Sequence, residues 1–294
     1  MSNEPISSSA LNWADIDRLI EAALQEDIGS GDVTTMWAVR ESTKARADLT
    51  AKAEGVIVGI EVAARVFQRV DSSVVLTAHV KDGGSVVPGD CIAEIAGPAR
   101  GILTGERTAL NFLQRLSGIA TATAECVKTV AGTGAKILDT RKTAPGMRLL
   151  DKHAVRAGGG FNHRIGLHDM VLIKENHIQA ADGIPSAVER VRSGMGREGK
   201  ALKIEVEVRD LKELQEALIC RVDRVMLDNM DLNSVRSAVG MVRQWQQRPE
   251  VEVSGGVTLT NLRALAETGV DFISIGALTH SVAALDISLL FRSL

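Results

Sequence analysis

With 294 residues, 45% of them hydrophobic, the chain is long enough to fill a barrel-sized core and a smaller domain beside it. A net charge of −3, from 34 Lys+Arg against 37 Asp+Glu, excludes a global basic footprint for nucleic acid. With 3 Trp, 5 Phe and no Tyr there is little aromatic surface on which single-stranded bases could stack. No stretch approaches the roughly 20 apolar residues of a membrane-spanning helix. Residues 1–10 are polar and Ser-rich, without the apolar core of a signal peptide. Cys91, Cys126 and Cys220 lie far apart, without the clustering that a zinc site needs, and read as reduced, small hydrophobes. The expected location is cytoplasmic, with no membrane and no nucleic acid among the partners.

Residues 11–26 have the spacing of an amphipathic helix, with Ile16, Leu19, Ile20 and Ala23 on one face. A loop follows at Asp27-Ile28-Gly29-Ser30-Gly31-Asp32. Strand patterns cover 45–53, 56–60 and 74–80, with a helix at 61–70. Asp82-Gly83-Gly84 and Pro88-Gly89-Asp90 are turn signals. Two helices are expected next, at 102–116 and 119–129, and the transition between domains falls between them.

From there strand and helix signals alternate as parallel βαβ units do. Six short apolar runs (135–138, 170–173, 203–208, 224–227, 251–253 and 272–275) each end at residues able to handle an anion, a phosphate or a metal. Placing chemistry at the C-terminal ends of strands is the habit of parallel α/β barrels. Six strands are fewer than eight. The expected fold is therefore α/β: an N-terminal α+β sandwich domain followed by an open, incomplete parallel α/β barrel. The domains are 1–116, joined by a docked helix or strand at 281–294, and 117–280, with the active site at the C-terminal strand ends. Gly194-Met195-Gly196-Arg197-Glu198-Gly199 matches a dinucleotide fingerprint by letter only. A helix precedes it and a strand follows, the reverse of the order that motif requires, so a flexible helix-to-strand loop is expected there.

The densest functional cluster runs from Asp139 to Lys174. Asp139-Thr140-Arg141-Lys142-Thr143 follows a strand, which puts Arg141 and Lys142 at the barrel mouth. Gly158-Gly159-Gly160 leads into His163 and Arg164, and arginine forks suit carboxylates and phosphates. In Lys203-Ile204-Glu205-Val206-Glu207-Val208 the alternation turns Glu205 and Glu207 inward, Glu207 toward the mouth and Glu205 one layer deeper. Glu207 and Asp228, on neighbouring strand ends beside a basic pocket, suit Mg²⁺ bridging a diphosphate; simple pairing with Lys142 or Lys174 is the other reading. Ser254-Gly255-Gly256 and Ile275-Gly276-Ala277 end the last two strands, where barrels commonly hold a phosphate. His168 and His177 read as structural. No HExxH, CxxC or Ser-His-Asp pattern supports zinc hydrolysis or a nucleophilic triad.

These segments resemble, over essentially the whole chain, the quinolinate phosphoribosyltransferase family. The likeness is carried by Glu26–Asp32, Glu106-Arg107-Thr108-Ala109-Leu110-Asn111-Phe112-Leu113-Gln114, Ser117–Thr121, Asp139–Thr143, Gly158–Arg164, Ile173–His177, Glu205–Val208, Leu227–Asn229 and Ser254–Gly256. The resemblance implies Mg²⁺-dependent phosphoribosyl transfer from phosphoribosyl pyrophosphate to quinolinate with decarboxylation. The products would be nicotinate mononucleotide, pyrophosphate and CO₂, in de novo NAD synthesis. It also implies a homodimer in which Arg107 enters the neighbouring active site. The roles it suggests are catalytic for Lys142, Lys174, Glu207 and Asp228, and substrate-binding for Arg107, Thr140, Arg141, Lys142, His163, Arg164, Lys174, Glu207 and Asp228. Ser254, Gly255, Gly256, Ile275, Gly276 and Ala277 would bind phosphate, and Glu207 and Asp228 the metal. The competing readings are a phosphoribosyltransferase for nicotinate or a related base, a Schiff-base lyase using Lys142 or Lys174, and a non-catalytic phosphometabolite sensor.

Overall fold

A computed structural model describes residues 11–292; the polar residues 1–10 and the last two residues of the C-terminal segment lie outside the described residues. The first helix, α1 (Trp13–Ile28), starts where the Asn12 side chain accepts the Ala14 N–H, and buries Ile16, Ile20 and Leu24. Each of these fully buried side chains contributes roughly 1.5–3 kcal/mol. Helix α2 (Val33–Ala38) is capped by Asp32, the last residue of the expected loop. Strands β1 (Lys44–Ala51) and β2 (Gly55–Val56) follow, then α3 (Ile60–Val70). The Asp82 side chain caps α3 from a distant turn, accepting the Gly59 and Ile60 N–H groups at 3.0 and 3.1 Å. The second strand is thus shorter than its expected 56–60, because Ile60 already belongs to the helix. Strands β3 (Val75–Ala78), β4 (Ser85–Val86) and β5 (Cys91–Pro98) complete the early sheet strands.

Next comes one helix rather than two, α4 (Ala99–Thr129). The expected break at Ser117-Gly118 is a packing point inside it. The Ser117 hydroxyl accepts the Val58 N–H at 3.0 Å, and a Cβ on Gly118 would collide with the Ala283 carbonyl. Glycine is retained there for close approach, at a cost of about 1 kcal/mol in helix propensity.

The remaining elements are β6 (Lys136–Leu138), α5 (Arg148–Ala157), β7 (Val171–Ile173), α6 (Glu175–Ala180), α7 (Ile184–Glu198), β8 (Ile204–Val208) and α8 (Leu211–Ile219). After them come β9 (Arg224–Asp228), α9 (Leu232–Arg243), β10 (Glu250–Ser254), α10 (Leu259–Ala266), β11 (Phe272–Ser274), α11 (Ala277–His280) and β12 (Ile287–Phe291). The glycine-rich decoy is helical rather than a flexible loop: α7 runs through Gly194 and Gly196 and ends at Gly199, whose φ of 62° suits a left-handed cap.

The chain forms two compact units. One takes the described residues through Ala124, Ala144–Gly159 and the stretch from Leu278; the other takes Glu125–Thr143 and Gly160–Ala277. In the first, an antiparallel sheet has the order β12-β1-β5-β3. The C-terminal segment contributes its edge strand, with Ile287 and Leu289 buried in alternation. Within this unit α5 is held by Asp151, fully buried, which receives both Nε and Nη2 of Arg115 at 3.0 and 2.8 Å.

The second unit is a parallel six-stranded sheet in the order β6-β11-β10-β9-β8-β7. Consecutive strands from β7 to β11 are neighbours and β6 follows β11, which is a barrel order left open between β6 and β7. Phe161 lies along β6, donating its N–H to Ile137 and accepting from Asp139 N–H, as one isolated parallel bridge. Helix residues Leu214, Val235, Val239 and Leu262 and strand residues such as Val206, Val225 and Val251 are all buried, as a parallel sheet covered by its crossover helices requires. Among the described residues no helix is long and apolar enough to cross a membrane.

Candidate active site

Every expected site residue except Arg107 falls in the second unit, in a loop, at the C-terminal end of a strand or, for Ala277, at the first position of α11. Arg107 is exposed on α4 in the first unit.

The deepest layer is made by strand alternation. Glu205 on β8, Arg224 on β9 and Glu250 on β10 are in register, and Glu252 lies on the same face of β10 as Glu250. Glu205 and Glu252 are both fully buried. Arg224 spans the carboxylates: its Nη1 lies 3.1 Å from Glu252 Oε2, its Nη2 lies 3.0 Å from Glu250 Oε2, and its guanidinium stacks 4.2 Å from the Phe272 ring. His163 Nε2 lies 3.0 Å from Glu205 Oε2 and 3.5 Å from Glu252 Oε2. Burial pushes the Glu205 carboxyl up from its ordinary range. Burial, then the Glu205 charge, pushes Glu252 up as well. His163, Glu205 and Glu252 each present a ligand atom within 4.8 Å of the others, a spacing that could suit a metal. Arg224 already supplies a positive charge to that cluster, which works against a dication there.

Above this floor the segment 160–164 is fixed from several sides. Asp139, buried at the end of β6, accepts the His163 N–H at 2.8 Å and the Asn162 side-chain amide at 2.6 Å. The Arg164 N–H donates to His163 Nδ1 at 2.8 Å. The Arg164 guanidinium donates to the Met170 carbonyl at 3.1 Å. Burial, and then the positive charge of Arg141, lower the pKa of Arg164, so the two guanidiniums are near enough to repel. Such a pair is set to receive a strongly anionic group.

At the mouth, Lys174 follows β7 and places Nζ 3.0 Å from Glu207 Oε2. His177 is structural, as expected: its Nδ1 accepts the Lys174 N–H at 3.0 Å and so caps α6. Asp228 is half-buried at the end of β9, with the Asn229 amide 2.9 Å from its Oδ2. Asn229 adopts a positive φ of 52° and donates its N–H to the Ser254 carbonyl at 2.9 Å, tying the ends of β9 and β10 together. Gly255 and Gly256 have φ of 86° and 60°, and a Cβ on Gly255 would strike the Asn229 side chain. A cavity of about 280 Å³ opens here, lined by Asn229, Asp231, Gly255, Gly256 and Asn261 among others. Helix α10 begins beyond it at Thr258.

The structure thus brings Lys174 to Glu207 and Asp228 to the Ser254–Gly256 turn, with Arg141 within electrostatic reach of Arg164. Thr140 accepts the Lys142 N–H at 3.0 Å and shapes the turn that carries Arg141. Gly276 follows the buried Ile275 beyond β11, and Ala277 opens α11. Sequence reasoning missed Glu252 and Arg224. The signal for Glu252 was available, since Glu250-Val251-Glu252-Val253 alternates just as 204–208 does.

Comparison with known proteins adds an independent line. The pattern of the quinolinate phosphoribosyl transferase N-terminal domain matches residues 32–117, and that of the C-terminal domain matches residues 119–290. The chain is 42% identical over 279 residues to a probable nicotinate-nucleotide pyrophosphorylase (carboxylating) of Bacillus subtilis, covering 95% of this chain and 94% of that protein. It is 44% identical over 301 residues to the chloroplastic nicotinate-nucleotide pyrophosphorylase (carboxylating) of Oryza sativa subsp. japonica, covering 97% and 80%. The structure of the nicotinate-nucleotide pyrophosphorylase from Francisella tularensis superposes with a TM-score of 0.90 at 39% identity, covering 99% of this chain and all of that one.

Proposed function

We propose a division of labour among the site residues from one premise: the chain belongs to the quinolinate phosphoribosyltransferase family. Its activity is that of a decarboxylating quinolinate phosphoribosyltransferase in NAD biosynthesis. The observation that carries the residue assignment is the placing of Arg141 and Arg164, both half-buried, in the loops beyond β6 and within electrostatic reach of one another. Two guanidiniums that repel one another are relieved by a ligand with two adjacent carboxylates, and quinolinate is such a ligand. Lys142 and the His163 segment complete this anion pocket.

The donor is phosphoribosyl pyrophosphate. Backbone N–H groups of Gly255 and Gly256 hold its 5′-phosphate, with Gly276 and Ala277 closing the loop after β11. Lys174, drawn to Glu207, stands where the acid and the phosphoribosyl group meet. As pyrophosphate departs, positive charge builds at ribose C1 and the ring nitrogen attacks there; the quaternised nitrogen then stabilises the carbanion left when CO₂ leaves, and a proton from solvent completes the ring carbon. Glu207 and Asp228 stabilise the ribosyl cation by charge. Catalysis in this reading is positioning and electrostatics, with no covalent enzyme intermediate.

Glu207 and Asp228 also fit Mg²⁺: they are hard oxygen donors, half-buried at strand ends where water can complete the shell. When bound, the ion would neutralise the leaving pyrophosphate. We further assign the exposed Arg107 to the neighbouring site of a homodimer, and a cytoplasmic location in keeping with the three free cysteines.

Incubation with phosphoribosyl pyrophosphate, Mg²⁺ and either quinolinate or nicotinate tests the substrate. Nicotinate mononucleotide and CO₂ are expected from quinolinate; product from nicotinate alone would overturn the reading. Mixing Arg107→Ala and Arg141→Ala dimers, each silent at low quinolinate concentration, tests the sharing of sites. Restored activity in the hybrids is expected, and continued silence would return Arg107 to its own subunit.

A further inference from the structure

We propose that Asn229 is a positioning residue for the donor end of the reaction. Its side-chain amide sets the direction of the Asp228 carboxylate, and its backbone sets the turn at Ser254–Gly256. The proposal rests on the reading of Asp228 and that turn as the phosphoribosyl pyrophosphate site.

Asn229 leaves β9 with a φ of 52°, in the left-handed region that glycine, asparagine and aspartate enter at little cost. From there it makes two contacts of different kinds. Its N–H donates to the Ser254 carbonyl at 2.9 Å. Across a trans peptide the carbonyl and the next N–H point in opposite directions, so holding the Ser254 oxygen toward Asn229 turns the Gly255 N–H the other way. Its side-chain amide donates to Asp228 Oδ2 at 2.9 Å, a hydrogen bond to a charged acceptor. A carboxylate held through one oxygen no longer rotates freely about Cβ–Cγ, so Oδ1 is offered in one direction.

The amide is itself held in place. Gly255, at a φ of 86°, lies so near that a Cβ there would meet Oδ1, Cγ and Nδ2 of Asn229 at once. The room left by the missing side chain is the room the amide occupies. The far end of the turn has its own clamp: the Asn261 side chain accepts the Thr258 N–H at 2.9 Å and donates to the Gly256 carbonyl at 3.0 Å. Asn229 is thus where the carboxylate and the turn meet. Glycine would share its backbone conformation without the amide, and aspartate would share its shape but set a second carboxylate against the first.

Asn229→Gly keeps the left-handed backbone and the N–H to Ser254 and removes the amide alone. Calorimetric titration with phosphoribosyl pyrophosphate and Mg²⁺, without quinolinate so that nothing turns over, reads the donor site directly. The dissociation constant is expected to rise about tenfold, the scale of a lost hydrogen bond to a charged group. That for quinolinate, measured without the donor, should move by less than about twofold. Equal weakening of both ligands would mark a merely structural role and overturn the proposal. An amide that acts through Asp228 has no further effect once that carboxylate is gone. The double variant Asp228→Ala/Asn229→Gly should therefore bind the donor as Asp228→Ala does, and additive losses would overturn the proposal. Should Asn229→Gly not fold, Asn229→Asp decides in its place: weakened donor binding supports the proposal and unchanged binding overturns it. Asp228→Ala alone is the control. If it leaves donor binding untouched, the donor-site reading fails and this proposal with it. If it weakens donor binding while Asn229→Gly does not, the proposal alone fails.

Discussion

Glu205 and Glu207 alternate on the same strand, yet they live in different chemistry. Glu205 is sealed among His163, Glu252 and Arg224, while Glu207 is half-buried and reaches an exposed Lys174 at 3.0 Å. On the floor the charges are shut away from solvent, with the Arg224 guanidinium held between Glu250 and Glu252 at 3.0 and 3.1 Å. At the mouth the charges are half-exposed, and Arg141 and Arg164 repel one another. Charges of the first kind hold geometry; charges of the second kind await a ligand. Altering the floor should therefore change stability and aim, and altering the mouth should change substrate binding with the fold intact.

The largest effect is expected from Arg224→Met. Removing the guanidinium that Glu250 and Glu252 share should destabilise the protein by about 3–5 kcal/mol, read by urea unfolding. A change within the scatter of surface substitutions would deny the floor its structural role. Arg141→Ala is the matching change at the mouth. Quinolinate KM should rise about 100-fold, with unfolding midpoint and phosphoribosyl pyrophosphate KM nearly unchanged. Parallel losses for both substrates would blur the division between pocket and donor site.

Asp228→Asn sharpens the comparison within the mouth. It should raise the Mg²⁺ concentration for half-maximal rate about tenfold, and an unaltered metal requirement would move the ion elsewhere. The smallest effect concerns pH. Burial and the Glu205 charge raise the folded Glu252 carboxyl from 4.5 to about 8, so the folded chain keeps a proton that the unfolded chain has released. Stability from this group is therefore complete below pH 4.5 and lost as pH rises toward about 8. Urea midpoints at mildly acid and mildly alkaline pH should show that decline, and Glu252→Gln should flatten it; an equal slope in the variant would place the titration on another group.

Much of this organisation is legible in the residue order. Period-two alternation in 204–208 turns Glu205 and Glu207 inward, and polar residues closing each apolar run mark the strand ends. What escaped were features decided by tertiary contact. Gly118 reads as a helix break until the Ala283 carbonyl is found against it, and Gly194 and Gly196 read as a loop although α7 continues through them. The paired role of Glu252 and Arg224 depends on strand register, which brings Glu250 opposite Arg224 and lets that guanidinium reach Glu252, a relation across strands that no local pattern encodes.

The central claim is that the Arg141–Arg164 pair reads two adjacent carboxylates. Calorimetric titration of the wild-type protein with quinolinate and with nicotinate tests it most directly. Quinolinate should bind at least about 100-fold more tightly, since nicotinate leaves one guanidinium of the pair unmatched. Equal affinity for the two acids would contradict the account.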